Sequence, residues 1–343
     1  MKSHVNLSPF ESRRMAAVKA FPSPQCLAQD LSVIETESDD VDEQAAQLEG
    51  WNQDYAQISA GKFFGHMQRI GLSGVSLFVE STNRALLQCG ALADDLVALG
   101  VPVELPGGAV FCGSRVSDQG VHLFSGDNGF EFFSPPGLVM SGVCVPRSEL
   151  VSQLTEEEWE SVVAKLSHPH WASCDPWALE AMRKYVHHAL EVAGGAQGGL
   201  ENPGMRQLLR ESVISNLAQL LVTCSTSCER VQSVQRRWKI VMDAQDFVLS
   251  QPDRRTSIAE VCEAVGVSRR TLQYCFQDIL GIGPLDFMLS IRLSRAKRML
   301  RTATTVTDAA VHWGFWHFGY FSKHFRTMFG ELPSETHKRY HAN

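Results

Sequence analysis

The feature that most narrows what this chain can fold into is a glycine turn used twice between flanking apolar stripes. From Thr256, the residues Ile258, Val261, Cys262 and Val265 give one face of a short helix, Gly266 permits a tight turn, and Ser268 suits the N-cap of a second helix. That second helix buries Leu272, Cys275, Phe276 and Ile279, leaving Arg269, Arg270, Gln273, Tyr274 and Gln277 on its other side. The pattern returns at Gly314. There Thr307 is expected to cap a helix carrying Ala309, Ala310 and Trp313, and the helix after the turn buries Phe315, Phe321, Phe325 and Phe329, with Ser322, Lys323 and Arg326 along its polar side. A connecting helix from Pro284, a favoured first-turn residue, to Leu300 carries Arg292, Arg295, Lys297, Arg298 and Arg301.

Two short helices around a glycine turn are what a helix-turn-helix needs to place its second helix in a DNA major groove, where Arg and Gln can bond guanine and adenine edges bidentately. A rigid connector would fix the spacing of two such helices; at about 34 Å both enter successive major grooves on one face of a duplex. The charge supports a polyanionic partner once it is divided along the chain. The total is −7, but residues 1–229 hold 14 basic and 28 acidic side chains, whereas residues 230–343 hold 17 basic and 10 acidic.

The remainder of the chain has a different texture. Residues 1–50, ending in Glu35, Glu37, Asp39, Asp40, Asp42 and Glu43, read as a mostly flexible acidic leader. Short apolar runs follow at Phe63–Ile70, Val75–Glu80, Leu86–Cys89, Val101–Leu105, Ala109–Cys112, Val121–Phe124, Phe130–Phe133 and Val139–Val145, predicting a sandwich or small barrel. Helices are then expected after a capping box at Thr155 and Glu158, from Pro176 to Leu190, and around Met205–Leu221, the last as a bridge or dimer face beyond the glycine-rich Gly194–Gly199. The expected fold class is α+β: a β-barrel or sandwich (cupin-like) sensing domain with helices, then an all-α domain of two helix-turn-helix units. The corresponding boundaries are 51–193 for sensing and dimerisation, 194–234 for linker and bridging helix, and 235–343 for DNA binding.

Nine cysteines without a C-x-x-C pair read as buried thiols in a reducing compartment. Neither His168-Pro169-His170 with Cys174 nor His187-His188 has the spacing of a standard zinc site, so no metal or cofactor is expected. Cys224 and Cys228 read as structural or free thiols. No secretion signal and no run of about twenty apolar residues is present, which gives the expectation of a cytoplasmic protein without a membrane partner. Trp51, Trp159, Trp171 and Trp177 read as core, with an effector pocket as the alternative, and Arg84 and Arg115 read either as anchors for an anionic effector or as surface residues.

The stretch from about Trp238 to Arg339 resembles the DNA-binding domain of the AraC/XylS family of bacterial transcription regulators. The match is carried by Gly314-Phe315, by Tyr320-Phe321-Ser322-Lys323-His324-Phe325-Arg326 and by Phe329-Gly330-Glu331-Leu332-Pro333, with Ile258-Ala259, Leu272, Phe276, Gly281 and Pro284 fitting its first half. The resemblance implies seven helices in two helix-turn-helix units on double-stranded DNA. Its readers would be Arg270, Gln273, Tyr274 and Gln277, with Arg269 nearer the backbone, and in the second unit His317, Gly319, Ser322 and Lys323. Trp316-His317-Phe318-Gly319 departs from the family's usual short polar residues, and Gly319 offers no side chain to a base. The stretch Trp51–Cys89 is similar to a subgroup that includes ethanolamine-operon regulators.

These readings together predict an effector-responsive, non-enzymatic regulator of a nearby catabolic operon, acting as a homodimer and, if an activator, meeting RNA polymerase. The alternative is a DNA-repair or other enzyme carrying the same module. Its metal-activated nucleophilic cysteine would need a tight cluster that the dispersed cysteines do not offer.

Overall fold

Side chains along a strand alternate between its two faces, and here both faces of the central strands are apolar, so each sheet must be covered on both sides. The computed structural model describes residues 30–126, 129–167, 170–194, 200–225 and 232–342. Its strands are β1 (Ser32–Ser38), β2 (Trp51–Gln57), β3 (Gly65–Leu72), β4 (Val75–Thr82), β5 (Leu86–Leu92), β6 (Leu96–Glu104), β7 (Ala109–Phe111), β8 (Ser114–Val116), β9 (Gly120–Ser125), β10 (Phe130–Ser134), β11 (Leu138–Pro146) and β12 (His170–Ser173). They form a seven-stranded sheet in the order β1-β3-β4-β11-β6-β9-β12 and a five-stranded sheet in the order β2-β5-β10-β7-β8. Each of the eight expected apolar runs is a strand, and the N-terminal half is an antiparallel sandwich.

The helices are α1 (Val41–Ala45), α2 (Arg147–Val151), α3 (Glu156–Leu166), α4 (Pro176–Gly194), α5 (Pro203–Thr223), α6 (Gln232–Leu249), α7 (Ile258–Val265), α8 (Arg269–Leu280), α9 (Pro284–Met299), α10 (Val306–His312), α11 (Phe318–Phe329) and α12 (Pro333–His341). Leu77 and Phe78 on β4 show how the layers arise. Leu77 points outward to a core shared with Val162, Leu179, Val213 and Leu217 of α3, α4 and α5, whereas Phe78 points between the sheets to Trp51, Phe111 and Phe130. The outer face of the five-stranded sheet, through Ala56, Leu87, Val110 and Phe133, is covered by Trp238, Phe276 and Phe287 of the C-terminal helices.

Two expected boundaries are corrected by this packing. The acidic stretch assigned to a leader is structured from Ser32: β1 pairs with β3 along its whole length, and Asp40 caps α1 by accepting from the Asp42 and Glu43 amides. Residues 1–29 lie outside the described residues. The expected bridging helix is α5, and its Val213, Ile214, Leu217 and Leu221 are buried in the N-terminal core rather than spanning a gap. The Thr155–Glu158 capping box forms as expected, but α10 is capped by Thr305 with Asp308, two residues before the expected Thr307.

Between the sheets, Glu80 accepts hydrogen bonds from Gln44 Nε2 at 2.9 Å and Tyr55 Oη at 3.3 Å. Burial pushes its carboxyl from the ordinary 4.5 up to about 7, against the opposing effect of those two bonds. The unfolded chain therefore ionises first, and folding stability falls as the pH rises through that interval. Glu80→Gln should stabilise the fold by about 2–3 kcal/mol near pH 8 and by almost nothing near pH 4. Urea unfolding at both pH values checks this; equal stabilities near pH 8 would contradict it.

Candidate nucleic-acid interface

The first unit forms because each local signal is met. Ser257 and Glu260 make a reciprocal capping box, Gly266 turns in the left-handed region at φ 71°, and the Ser268 hydroxyl accepts from the Thr271 amide to start α8. On α8, Leu272, Cys275, Phe276 and Ile279 are buried. Arg269, Arg270, Gln273, Tyr274 and Gln277 are all exposed along one side, at helical spacing. Arg237 lies over the Tyr274 ring at 5.2 Å, and Gln277 Nε2 donates to the Gly281 carbonyl at 3.1 Å, so these two are partly committed inside the chain.

The second unit repeats the first with its reading helix shifted by forty-nine positions, Arg269–Leu280 becoming Phe318–Phe329, and both helices end on a left-handed glycine, Gly281 and Gly330. Phe321, Phe325 and Phe329 are buried against Leu293, Ala296 and Ala309. Of the expected readers, His317, Gly319 and Lys323 are exposed and Ser322 is half-buried. His324 and Arg326 are also exposed on the same helix. The turn is one residue longer than in the first unit, and His317 gives α11 no side-chain cap.

Much of the C-terminal positive charge does not face a nucleic acid. Arg295 and Arg298 on α9 pair with Asp54 at 2.5 and 2.8 Å, Arg298 also meets Asp42, and Arg301 meets Asp40. Burial would raise the Asp54 carboxyl, but the two guanidiniums hold it down at about 2. Lys297 Nζ lies 3.2 Å from Asp40, with the two side chains only 5% and 2% exposed. Arg292 is buried and donates to the Thr256 hydroxyl at 2.7 Å and to the Gln251 and Trp313 carbonyls. The linking helix is thus a docking strut against β2 and α1. A cleft of about 580 Å³ beside it is lined by Leu249, Met299, Thr302, His312 and Trp313 together with Arg295, Arg298 and Arg301.

Arg115, a candidate effector anchor, instead reaches the end of α8: its guanidinium donates to the Asp278 carbonyl and pairs with the Asp278 carboxylate, both at 2.9 Å. Arg84 donates to the Lys62 carbonyl at 2.9 Å. Trp51 is buried edge-on to Phe124 and Phe130, whereas Trp177 is exposed. His187 and His188 each face Glu191 on the surface of α4. His168, Pro169 and Cys228 lie outside the described residues.

Residues missed at the level of sequence are the exposed aromatics Trp316, Phe318 and Tyr320, which frame the start of α11. For Trp316 and Phe318 the departure from the usual polar pattern is the available signal, whereas Tyr320 belongs to the matching stretch; the exposure of all three requires the fold.

A family model described as a helix-turn-helix domain matches residues 261–339. The chain is 37% identical over 100 residues to the probable thc operon regulatory protein of Rhodococcus erythropolis, covering 28% of this chain and 30% of that protein. It is 31% identical over 94 residues to the XylDLEGF operon transcriptional activator 2 of Pseudomonas putida, covering 26% of this chain and 60% of that one. The match therefore spans less than two thirds of either relative. Among solved structures, a probable AraC family transcriptional regulator from Rhodopseudomonas palustris is 32% identical, with 30% of this chain and 97% of that chain covered and a TM-score of 0.28.

Proposed function

Because residues 261–339 carry a helix-turn-helix domain of the AraC/XylS type, we propose that this chain is a sequence-specific DNA-binding transcription regulator whose two units enter successive major grooves. The observation that carries this reading is the exposed row Arg269, Arg270, Gln273, Tyr274 and Gln277 on a helix whose other face is buried. Arg270 and Gln273 read bases, and Arg269 and Lys323 hold phosphates. The sandwich is the effector domain, a reading supported by His122. Both of its ring nitrogens lack a partner among the described residues, and burial holds its pKa at about 3 amid Phe111, Phe124 and Phe132. Met205 and Leu208, exposed one turn apart on α5, support a homodimer through that helix. The relatives' names support control of an operon; a nearby catabolic operon as the target, and RNA polymerase as the further partner of an activator, complete the proposal.

The test is binding of the full chain to the DNA upstream of its own gene at increasing salt. Affinity should fall steeply as released counterions are penalised. Arg270→Ala or Gln273→Ala should each cost about 1–3 kcal/mol on that site and relax its sequence preference. Weak binding insensitive to salt contradicts the reading, and a uniform loss on all sequences contradicts the assignment of these two residues.

A further inference from the structure

Superimposing the two units by sequence places Phe318, Gly319 and Tyr320 where the first unit has Arg269, Arg270 and Thr271. The N-terminal turn of a recognition helix is the part that meets base edges. In the second unit that turn is apolar, and it is exposed: Trp316 is 61%, Phe318 46% and Tyr320 68% accessible, although the phenylalanines one turn on are fully buried. The same helix carries Lys323, His324 and Arg326 toward solvent and no acidic residue, so the patch sits within a field suited to phosphate.

Gly319 adds an independent observation. A Cβ built there meets nothing within 4 Å, and its φ is not in the left-handed region, so nothing in this chain requires glycine. Gly319 is the second residue of α11, in the first turn, where glycine still gives up some helix stability relative to alanine. A cost that no internal contact explains points to something outside the chain that approaches the backbone between Phe318 and Tyr320.

We propose that the second unit reads DNA by apolar contact: Trp316, Phe318 and Tyr320 enclose thymine C5-methyl groups in the major groove, and Gly319 lets the base edge come against the helix backbone. Apolar side chains distinguish thymine by that methyl, the one hydrophobic group on the major-groove edge. The first unit reads by hydrogen bonds and the second by methyl groups. This rests on the DNA-binding function proposed above and specifies the chemistry of its second half-site.

The experiment uses the full chain and a duplex enriched by it from a random-sequence pool. Each thymine is replaced in turn by deoxyuridine, which removes only the methyl. At one or more thymines the replacement should weaken binding about tenfold, and the loss should vanish in Phe318→Ser/Tyr320→Ser while persisting in Gln273→Ala. Gly319→Ala should raise the melting temperature of the free protein and yet weaken binding to the same duplex. If deoxyuridine has no effect at any position, or if Phe318→Ser/Tyr320→Ser binds as the parent does, the inference fails and the aromatic patch faces another protein. If no duplex is enriched at all, the failure lies in the DNA-binding reading itself.

Discussion

Asp40→Ala should destabilise the protein by about 3–5 kcal/mol, far more than an ordinary surface charge substitution, because it leaves Lys297 buried without its nearest carboxylate. Asp40 is held at the centre of the contact between the two halves. Burial raises its carboxyl, and the charges of Lys297 and Arg301 more than reverse this, holding it below the usual range. Its other role is to cap α1, worth about 1 kcal/mol, which Asp40→Asn keeps while removing the charge. Lys297 retains Glu331 at 3.5 Å, so the lower end of the range applies if Glu331 takes over the pairing. Denaturant unfolding of the three proteins separates these contributions, and replacing both Asp40 and Lys297 with apolar residues should recover part of the loss. A cost below about 1 kcal/mol for Asp40→Ala would show that water screens the pair and that α9 is not docked through it.

Phe325→Ala should cost a similar amount, about 3–5 kcal/mol, but its effect should be confined to the second unit. Phe325 is fully buried, edge-on to Phe321 at 5.5 Å and to Phe329 at 4.7 Å, in a cluster closed by Leu293, Leu300 and Ala310. The first unit belongs to a different core, shared with the five-stranded sheet through Ala56, Leu87 and Val110. Amide hydrogen exchange should therefore lose protection in α10, α11 and α12 while α7 and α8 keep theirs. DNA binding should weaken but retain the sequence preference proposed for Arg270 and Gln273. Uniform loss of protection through α8 would contradict two separable cores.

Legibility of the fold in the sequence divides along the range of the interactions. Both helix-turn-helix units are legible because their determinants are local: serine caps in the first, a left-handed glycine at each turn, and apolar residues at helical spacing on each second helix. The strands of the sandwich were visible because apolar runs lie between turn residues. β1 was hidden because it is an edge strand whose outward positions are Val33, Glu35 and Glu37, and the two charges on this edge guard against pairing with other chains. In β3, His66 and Gln68 supply the cross-strand partners for Glu35. The acidic residues that followed resembled a solvated tail, since their partners Arg295, Lys297, Arg298 and Arg301 lie some 250 positions later and no local rule connects them.

The same distance effect alters the meaning of the charge division. The basic surplus after residue 230 includes a row of arginines neutralised within the protein, so the charge left for DNA rests on exposed residues such as Arg269 and Arg270 of α8 and Lys323 and Arg326 of α11. Arg115 was invisible as an interdomain contact for the same reason, its partner Asp278 being on the first reading helix. Among the reader residues, the exposed face of α8 was legible from its helical period. The apolar start of α11 was legible only as an anomaly, because whether Trp316, Phe318 and Tyr320 face inward or outward depends on which face the phenylalanine cluster occupies.

If the two units read successive grooves on one face of the duplex, hydroxyl-radical footprinting of the full chain on its enriched site will show it. Two protected patches should lie on the same face, separated by about 10 base pairs, with the protection of one patch lost in Phe325→Ala. A single patch in the parent protein, or two patches on opposite faces of the helix, would contradict it.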